Sequence, residues 1–345
     1  MDSPARRPSE DRPVDRVRAA LELGRADGVP AAWWGHTYRE EWSPRSLAAA
    51  TAERQERFRW DFVKLQPRAT CFAEAFGSVY RPAAVAGRGP ELVRAAVRSA
   101  SDWAGLPQAD GTAPPLAEQV EALRLVAEGV GEDVPVLQTV FSPLTVAGYL
   151  AGEDKRRVVD ELRGGSGALR SALDRIADAL ADFARRSASA GAAGIFYAIS
   201  GYASEDLWPL DEYERLVVDS DLRVLDGLSE WSWFDVLHLC GPRVHFDLTG
   251  RLPSRAVSWS VHEPGNPSLP EGRDRAGRSA MGGVDHLRTL PAGDARSVRE
   301  EVAEAVRATR GTGVLIAPGC SVPVTVGEEN LEAMMDAAKG RPASP

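Results

Sequence analysis

Eight short apolar or β-rich runs recur along the chain: AAWWGH (31–36), DFVKL (61–65), PVLQTV (135–140), AGIFYAI (193–199), WFDVLHL (233–239), RAVSWSV (255–261), RSAMGGV (278–284) and GVLIAPG (313–319). Between most of them lie stretches whose apolar residues fall three and four apart, the period of a helix with one buried face. LAAATAERQERF leads into the second run and SALDRIADALADFARRSAS into the fourth; SVREEVAEAVRAT leads into the eighth, and ENLEAMMDAA follows it. Strand, turn and helix repeating in this order is the pattern of parallel βα units. Eight such units predict an α/β protein built as a single (β/α)8 TIM barrel over residues 13–339, with an N-terminal helical extension. A doubly wound open sheet is the runner-up, because periodicity does not register closure. Residues 81–134 read as a helical excursion between the second and third strands. Residues 1–12 and 340–345, rich in Pro, Ser and charge, are expected to be disordered.

A parallel barrel gathers its chemistry at the C-terminal ends of its strands, where the βα loops converge. Polar residues there include His36, Gln66, Arg68, Ser142, Ser200, Tyr202, His238, Cys240, His262, Glu263 and Cys320.

Composition narrows what such a rim can serve. With 345 residues, 43% of them hydrophobic, the chain can bury a large core. Its net charge of −9 and the lack of any Lys/Arg block argue against nucleic acid as a partner. The first residues, MDSPARRPSEDRPVDR, contain no apolar stretch, and no apolar run reaches bilayer length. A cytoplasmic protein that does not engage membranes is therefore expected. Three cysteines, Cys71, Cys240 and Cys320, are no disulfide framework. Cys71, in TCFAEAFG, reads as a packing residue.

The other two cysteines carry the sharpest signal. In FDVLHLCG, His238 and Cys240 stand two apart on a strand, so their side chains share one face. Cys320, in LIAPGCSVP, ends the eighth strand, and a closed barrel would bring it to the same rim. Taken alone, H-x-C is better explained by a small buried residue and a satisfied histidine. The second cysteine, after Gly319, tips the balance toward a metal site. Three His/Cys ligands with an open fourth position suit Zn2+. Two thiolates neutralise the ion, which favours holding a substrate thiol as a zinc-bound thiolate nucleophile over making hydroxide. Glu263, in SWSVHEP, is the candidate fourth ligand, with His262 and water as alternatives.

These motifs resemble the uroporphyrinogen decarboxylase superfamily over residues 25–339. The matching stretches are PAAWWGHTYREE, RFRWDFVKLQPRATCFAEAFG, VLQTVFSPLTVAGYLAG, GAAGIFYAIS, MGGVDHLRTL and LIAPGCSVPVTVGEENLEAM. The resemblance implies a (β/α)8 barrel and two chemistries, decarboxylation and zinc-dependent methyl transfer between a corrinoid and a thiol. The methyltransferase motif is H-x-C followed by a distant C, which His238, Cys240 and Cys320 match. The decarboxylase pattern fits less well. Gly35 stands where its first substrate arginine would be, and Arg39 keeps the second. Arg68 replaces an aspartate, and Gly319-Cys320 replaces Gly-His; Tyr149 matches the family tyrosine. No corrinoid-binding D-x-H-x-x-G run is present, so a cobalamin would come from a corrinoid protein or in free form.

The leading expectation is thus a zinc-dependent alkyl (methyl) transferase acting on a small thiol and an alkyl donor. Tyr149 and Arg39 are the catalytic candidates; His36, Arg68 and Tyr202 are the substrate-binding candidates. Arg68 has a competing structural role, pairing with Glu74, and Tyr202 could equally cap a loop. Two alternatives remain: a decarboxylase-like lyase on a carboxylated or tetrapyrrole substrate, and a non-catalytic corrinoid- or tetrapyrrole-binding barrel. A homodimer is left open by the resemblance.

Overall fold

The computed structural model describes residues 12–26 and 28–341. The disorder expected for 1–12 and 340–345 falls outside the described residues except at Arg12, Gly340 and Arg341. The expected helical extension is the helix Pro13–Leu21.

Among the described residues nine strands occur: β1 (Val63–Leu65), β2 (Val79–Arg81), β3 (Glu91–Arg94), β4 (Val136–Phe141), β5 (Gly194–Ser200), β6 (Val236–Cys240), β7 (Ala256–Trp259), β8 (Ser279–Val284) and β9 (Val314–Pro318). Seven of them form one parallel sheet in the order β1-β4-β5-β6-β7-β8-β9. Apart from the half-buried Ser200 and Cys240 that end β5 and β6, every residue of these seven strands is buried. That is the mark of a parallel sheet covered on both faces. Helices supply the outer cover. The longest, Gly167–Ser189, buries Leu169, Leu173, Ile176, Leu180 and Phe183, a stripe at spacings of three and four. Ser166 caps its first turn by accepting a hydrogen bond from the Leu169 N–H.

Two sequence expectations need correction. The run 31–36 forms no strand; it makes only two isolated parallel bridges, Ala31 with Ile316 and Gly35 with Val322. Toward β9 it behaves as a strand would: Ala32 donates to the Ile316 carbonyl and Ile316 to that of Pro30. On the β1 side the Ala31 N–H is taken by the Asp61 carboxylate at 2.9 Å, which interrupts the backbone ladder. Asp61 is fully buried and is neutralised by Arg16 and Lys339, which pins the first helix to this corner. The excursion 81–134 is helical only at Pro114–Val130, with a short 3-10 turn at Ala100–Gly105. Its start is the antiparallel pair β2–β3, whose connection contains Pro82, Gly87, Gly89 and Pro90, residues that break helices and favour turns. Among the described residues no helix is long and apolar enough to cross a membrane.

Candidate metal centre

His238 and Cys240 lie on β6, and strand pairing sets their neighbours: Ala198 and Ser258 flank His238, and Ser200 flanks Cys240. Cys320 follows β9 by two residues. Three inter-strand steps separate β6 from β9, about 14 Å in a flat sheet. The two sulfurs are nevertheless 3.7 Å apart. The sheet therefore curls, and it curls toward the mouth where these side chains meet.

Local sequence makes the approach feasible. Gly319 sits against Ser260, where a Cβ would stand 2.6 Å from the serine Cβ. Any larger residue would push the Cys320 backbone off β7. Gly241 adopts φ +107°, turning the chain away directly after Cys240.

The donor atoms of His238, Cys240 and Cys320 all lie within 4.8 Å of one another. A disulfide would hold the sulfurs near 2 Å. Two sulfurs bound about 2.3 Å from one tetrahedral ion stand roughly 3.8 Å apart, close to the separation observed. The imidazole is oriented for the same purpose. Its Nδ1 contacts the Ser258 hydroxyl at 3.2 Å, while Nε2 is buried without a hydrogen-bond partner. A proton on Nδ1, donated to Ser258, leaves the Nε2 lone pair facing the sulfurs. A buried, unpartnered acceptor beside two thiols fits a cation.

Electrostatics agree. The Cys320 thiol is held well below its ordinary pKa, first by the hydrogen bond from Cys240 and then by the nearby imidazoles of His238 and His286; burial opposes this. The Cys240 thiol is pushed up by the same sulfur–sulfur bond, by burial and by the Cys320 charge. Two buried thiols this close favour a divalent ion, whose charge would hold both as thiolates.

The remaining candidates divide. Glu263, expected as a fourth ligand, is not among the clustered donors, though its charge raises the Cys240 thiol pKa. Tyr149 stacks on Phe141 with ring centroids 5.8 Å apart. Burial raises its phenol pKa, and the nearby charges of Glu153, Tyr80, Cys240 and Cys320 add to the rise. Tyr202 is buried with its hydroxyl unpartnered, and its backbone carbonyl accepts from Trp208. His36 is linked to the mouth indirectly: Nδ1 meets Glu41 at 2.8 Å and Nε2 meets Gln66 at 3.1 Å, while Ser321, next to Cys320, donates to Gln66.

Arg68 does not face the mouth. It is buried in a two-bonded pair with Glu74 at 2.9 Å, donates to the Glu41 carbonyl and stacks on Trp42. Its guanidinium is thus engaged by the scaffold, the competing structural role that its sequence position also allowed. Arg39 is exposed and opens on a surface cleft of about 880 Å³, lined also by Trp33, His36, Tyr38 and Arg54.

Sequence reasoning passed over Ser258, His286 and Lys64. His286 lies two residues beyond β8, where the strand-end rule already pointed. Lys64 is a charged residue in the middle of an apolar strand, and that conflict was itself the signal.

Comparison with known proteins bears on this site. The sequence pattern described as Uroporphyrinogen decarboxylase (URO-D) matches residues 39–341. Methylcobamide:CoM methyltransferase MtaA of Methanosarcina barkeri (strain Fusaro) is 26% identical over 338 residues, 95% of this chain and 94% of that one. Methylcobamide:CoM methyltransferase MtbA of Methanosarcina acetivorans is 25% identical over 226 residues, 64% of this chain; this chain spans 62% of that relative. Among solved structures, a methyltransferase from Methanosarcina mazei has TM-score 0.79 at 23% identity, covering 96% of this chain and 99% of that one. A B12-independent methionine synthase from Shewanella sp. W3-18-1 has TM-score 0.53 at 14% identity, covering 91% and 92%. Both structural likenesses concern the fold.

Proposed function

Because this chain belongs to the uroporphyrinogen decarboxylase family, we propose that it is a zinc-dependent methyltransferase acting between a corrinoid and a small thiol. One observation carries the reading: two thiols 3.7 Å apart beside a buried, unpartnered imidazole nitrogen. The names of the relatives, methylcobamide:CoM methyltransferases, support it. A zinc ion held by His238, Cys240 and Cys320, with one position open, would supply the Lewis acidity that ionises a thiol at neutral pH.

The chain's own residues do the rest. Ser258 holds the His238 ring and its tautomer. Phe196, 5.0 Å from that ring between centroids, and Phe141, stacked under Tyr149, give an apolar wall that excludes water from the reacting carbon. Tyr149 and Tyr202 border the mouth where the two substrates must meet. In the transfer, the thiol gives up its proton and its sulfur lone pair forms the new S–CH3 bond. The bond from methyl to the corrinoid cobalt breaks, and its electron pair stays on cobalt. Methylation of the corrinoid by a thioether runs the same steps backward. The corrinoid is supplied by a partner protein or in free form. On this reading 31–36 is the eighth, closing element of a (β/α)8 barrel, and the enzyme works in the reducing cytoplasm, where both cysteines stay reduced.

The test follows methylcobalamin and 2-mercaptoethanesulfonate anaerobically with zinc-loaded protein. Loss of the methylcobalamin spectrum and appearance of cob(I)alamin are expected, abolished by chelation and restored by zinc. Substoichiometric zinc in protein purified from zinc-rich medium, unaltered by Cys320→Ser, refutes the proposal.

A further inference from the structure

Lys64 lies on β1 with its side chain inside the curled sheet. Register places it beside Leu137 of β4, and through β5 on the face that carries Phe196 and, one strand further, His238. It is buried. Its ammonium donates to Gln66 Oε1 at 2.5 Å and stands 5.0 Å from the centre of the Phe196 ring and 5.8 Å from that of Trp34. Among the described residues no carboxylate is within ion-pair distance of it. Gln66 is the one hydrogen-bond partner seen for it among the described residues, and two aromatic faces flank it.

A buried cation without a counter-anion is costly, and such a group is expected to shed its proton or to meet a charge supplied from outside. Around Lys64 stand Glu41, reached through His36 and Gln66, and Cys320 and Cys240 across the mouth; all three favour the charged form, and burial opposes them. Burial outweighs them and brings the amine down to about 7.

The methyltransfer reading supplies the missing anion. Two cysteine thiolates cancel a divalent ion, so an incoming thiolate leaves the centre with one net negative charge. We infer that Lys64 is the counter-charge for the substrate thiolate: a positioning residue that favours ionisation of the thiol through its field, with Gln66 fixing its ammonium and tying it through Ser321 to the Cys320 loop. The inference rests on the methyltransferase reading, and charge neutrality gives it a reciprocal form. The thiolate keeps Lys64 protonated, and Lys64 keeps the thiol ionised.

Cobalt(II) in place of zinc makes this measurable without turnover, because sulfur-to-cobalt charge transfer reports bound thiolate. The wild-type protein, Lys64→Met and Lys64→Gln, each loaded with cobalt, are titrated with 2-mercaptoethanol, an uncharged thiol, across a range of pH. Both variants should require pH at least one unit higher for half-maximal thiolate binding, about a tenfold loss at fixed pH. Lys64→Gln can keep a hydrogen bond to Gln66, so a shared shift separates charge from packing. An unchanged midpoint in variants whose melting temperatures match the wild type overturns the inference. So does a shift seen with 3-mercaptopropionate but absent with 2-mercaptoethanol, which would make Lys64 a holder of the acid tail. Failure of the wild-type protein to take up cobalt at all overturns the metal reading and this inference with it.

Discussion

Replacing Cys320 by serine tests the centre at its most exposed point of logic. The substitution removes one sulfur from a pair 3.7 Å apart and leaves His238, Ser258 and Cys240 untouched. Zinc held by four protein ligands is worth roughly 10–16 kcal/mol at neutral pH, or about 3 kcal/mol for each ligand if divided evenly. Each 1.4 kcal/mol is tenfold, so zinc affinity should fall at least about 100-fold. The charge count points the same way: serine stays neutral, and the centre goes from neutral to one net positive charge in a buried site. Competition with a chromophoric chelator gives the affinity, and elemental analysis after dialysis gives the stoichiometry. Cys71→Ala is the control. Cys71 is buried in the helix Cys71–Glu74, away from the cluster, and burial raises its thiol pKa, so its loss should leave zinc binding unchanged. One equivalent of zinc held by Cys320→Ser with wild-type affinity would refute the reasoning, since it would mean that the two sulfurs do not share an ion.

Four further outcomes follow from the same geometry. Ser258→Ala frees the His238 ring and should weaken zinc binding about 10-fold by the same competition assay, with little change in melting temperature; unchanged affinity would show that the hydroxyl does not orient the ligand. Gly319→Val puts a side chain where a Cβ already meets Ser260 at 2.6 Å, so both melting temperature and zinc content should drop, whereas retention of full zinc would deny the close approach. Arg68→Met strands the Glu74 carboxylate and should cost about 3 kcal/mol in urea unfolding; a stable variant with a raised KM for thiol would restore Arg68 to the substrate site. Buried Asp221, bonded to the hydroxyls of Tyr197 and Tyr213, is raised by burial to about 7. A carboxyl raised in the fold stabilises most below its unfolded pKa and loses that contribution as pH rises to its folded pKa. The melting temperature of Asp221→Asn relative to wild type should therefore climb between about pH 4 and pH 7 and level off above; a flat difference would place the carboxyl's titration elsewhere.

Much of the scaffold could be read from periodicity, and the reason is physical. Parallel strands buried on both faces are continuous apolar runs, and seven of the eight predicted runs are strands of one sheet. The eighth, 31–36, has the apolar content of a strand, yet whether a run joins a ladder depends on who takes its N–H groups. Asp61, thirty residues away, takes that of Ala31, and no local pattern encodes that competition. The hairpin β2–β3 was hidden for a different reason: its strands of three and four residues are too short to show a period. At the site, His238 and Cys240 were legible because a two-residue spacing on a strand fixes a shared face. Cys320 was legible only by supposing that the sheet curls far enough to bring β9 round to β6. For Arg68 the sequence left two roles open because position on a rim says nothing of direction; its guanidinium turns back to Glu74.

That last distinction also weighs on the decarboxylase alternative. A polyanionic substrate needs cations that converge on the mouth, because each carboxylate moved out of water must be repaid by a partner. Of the two arginines that the sequence offered, Arg68 is bound into the scaffold and Arg39 is exposed on a surface cleft. Two cations border the mouth: Lys64 within the sheet, and Lys155, whose ammonium stands 5.5 Å from the centre of the Tyr202 ring and whose charge reaches the Cys240 thiol. Placed beside the two thiols, they match a substrate that arrives as a thiol and ionises in place. Turnover of a multiply carboxylated substrate that survives removal of all metal would contradict this charge balance, and with it the assignment of the mouth to thiol chemistry.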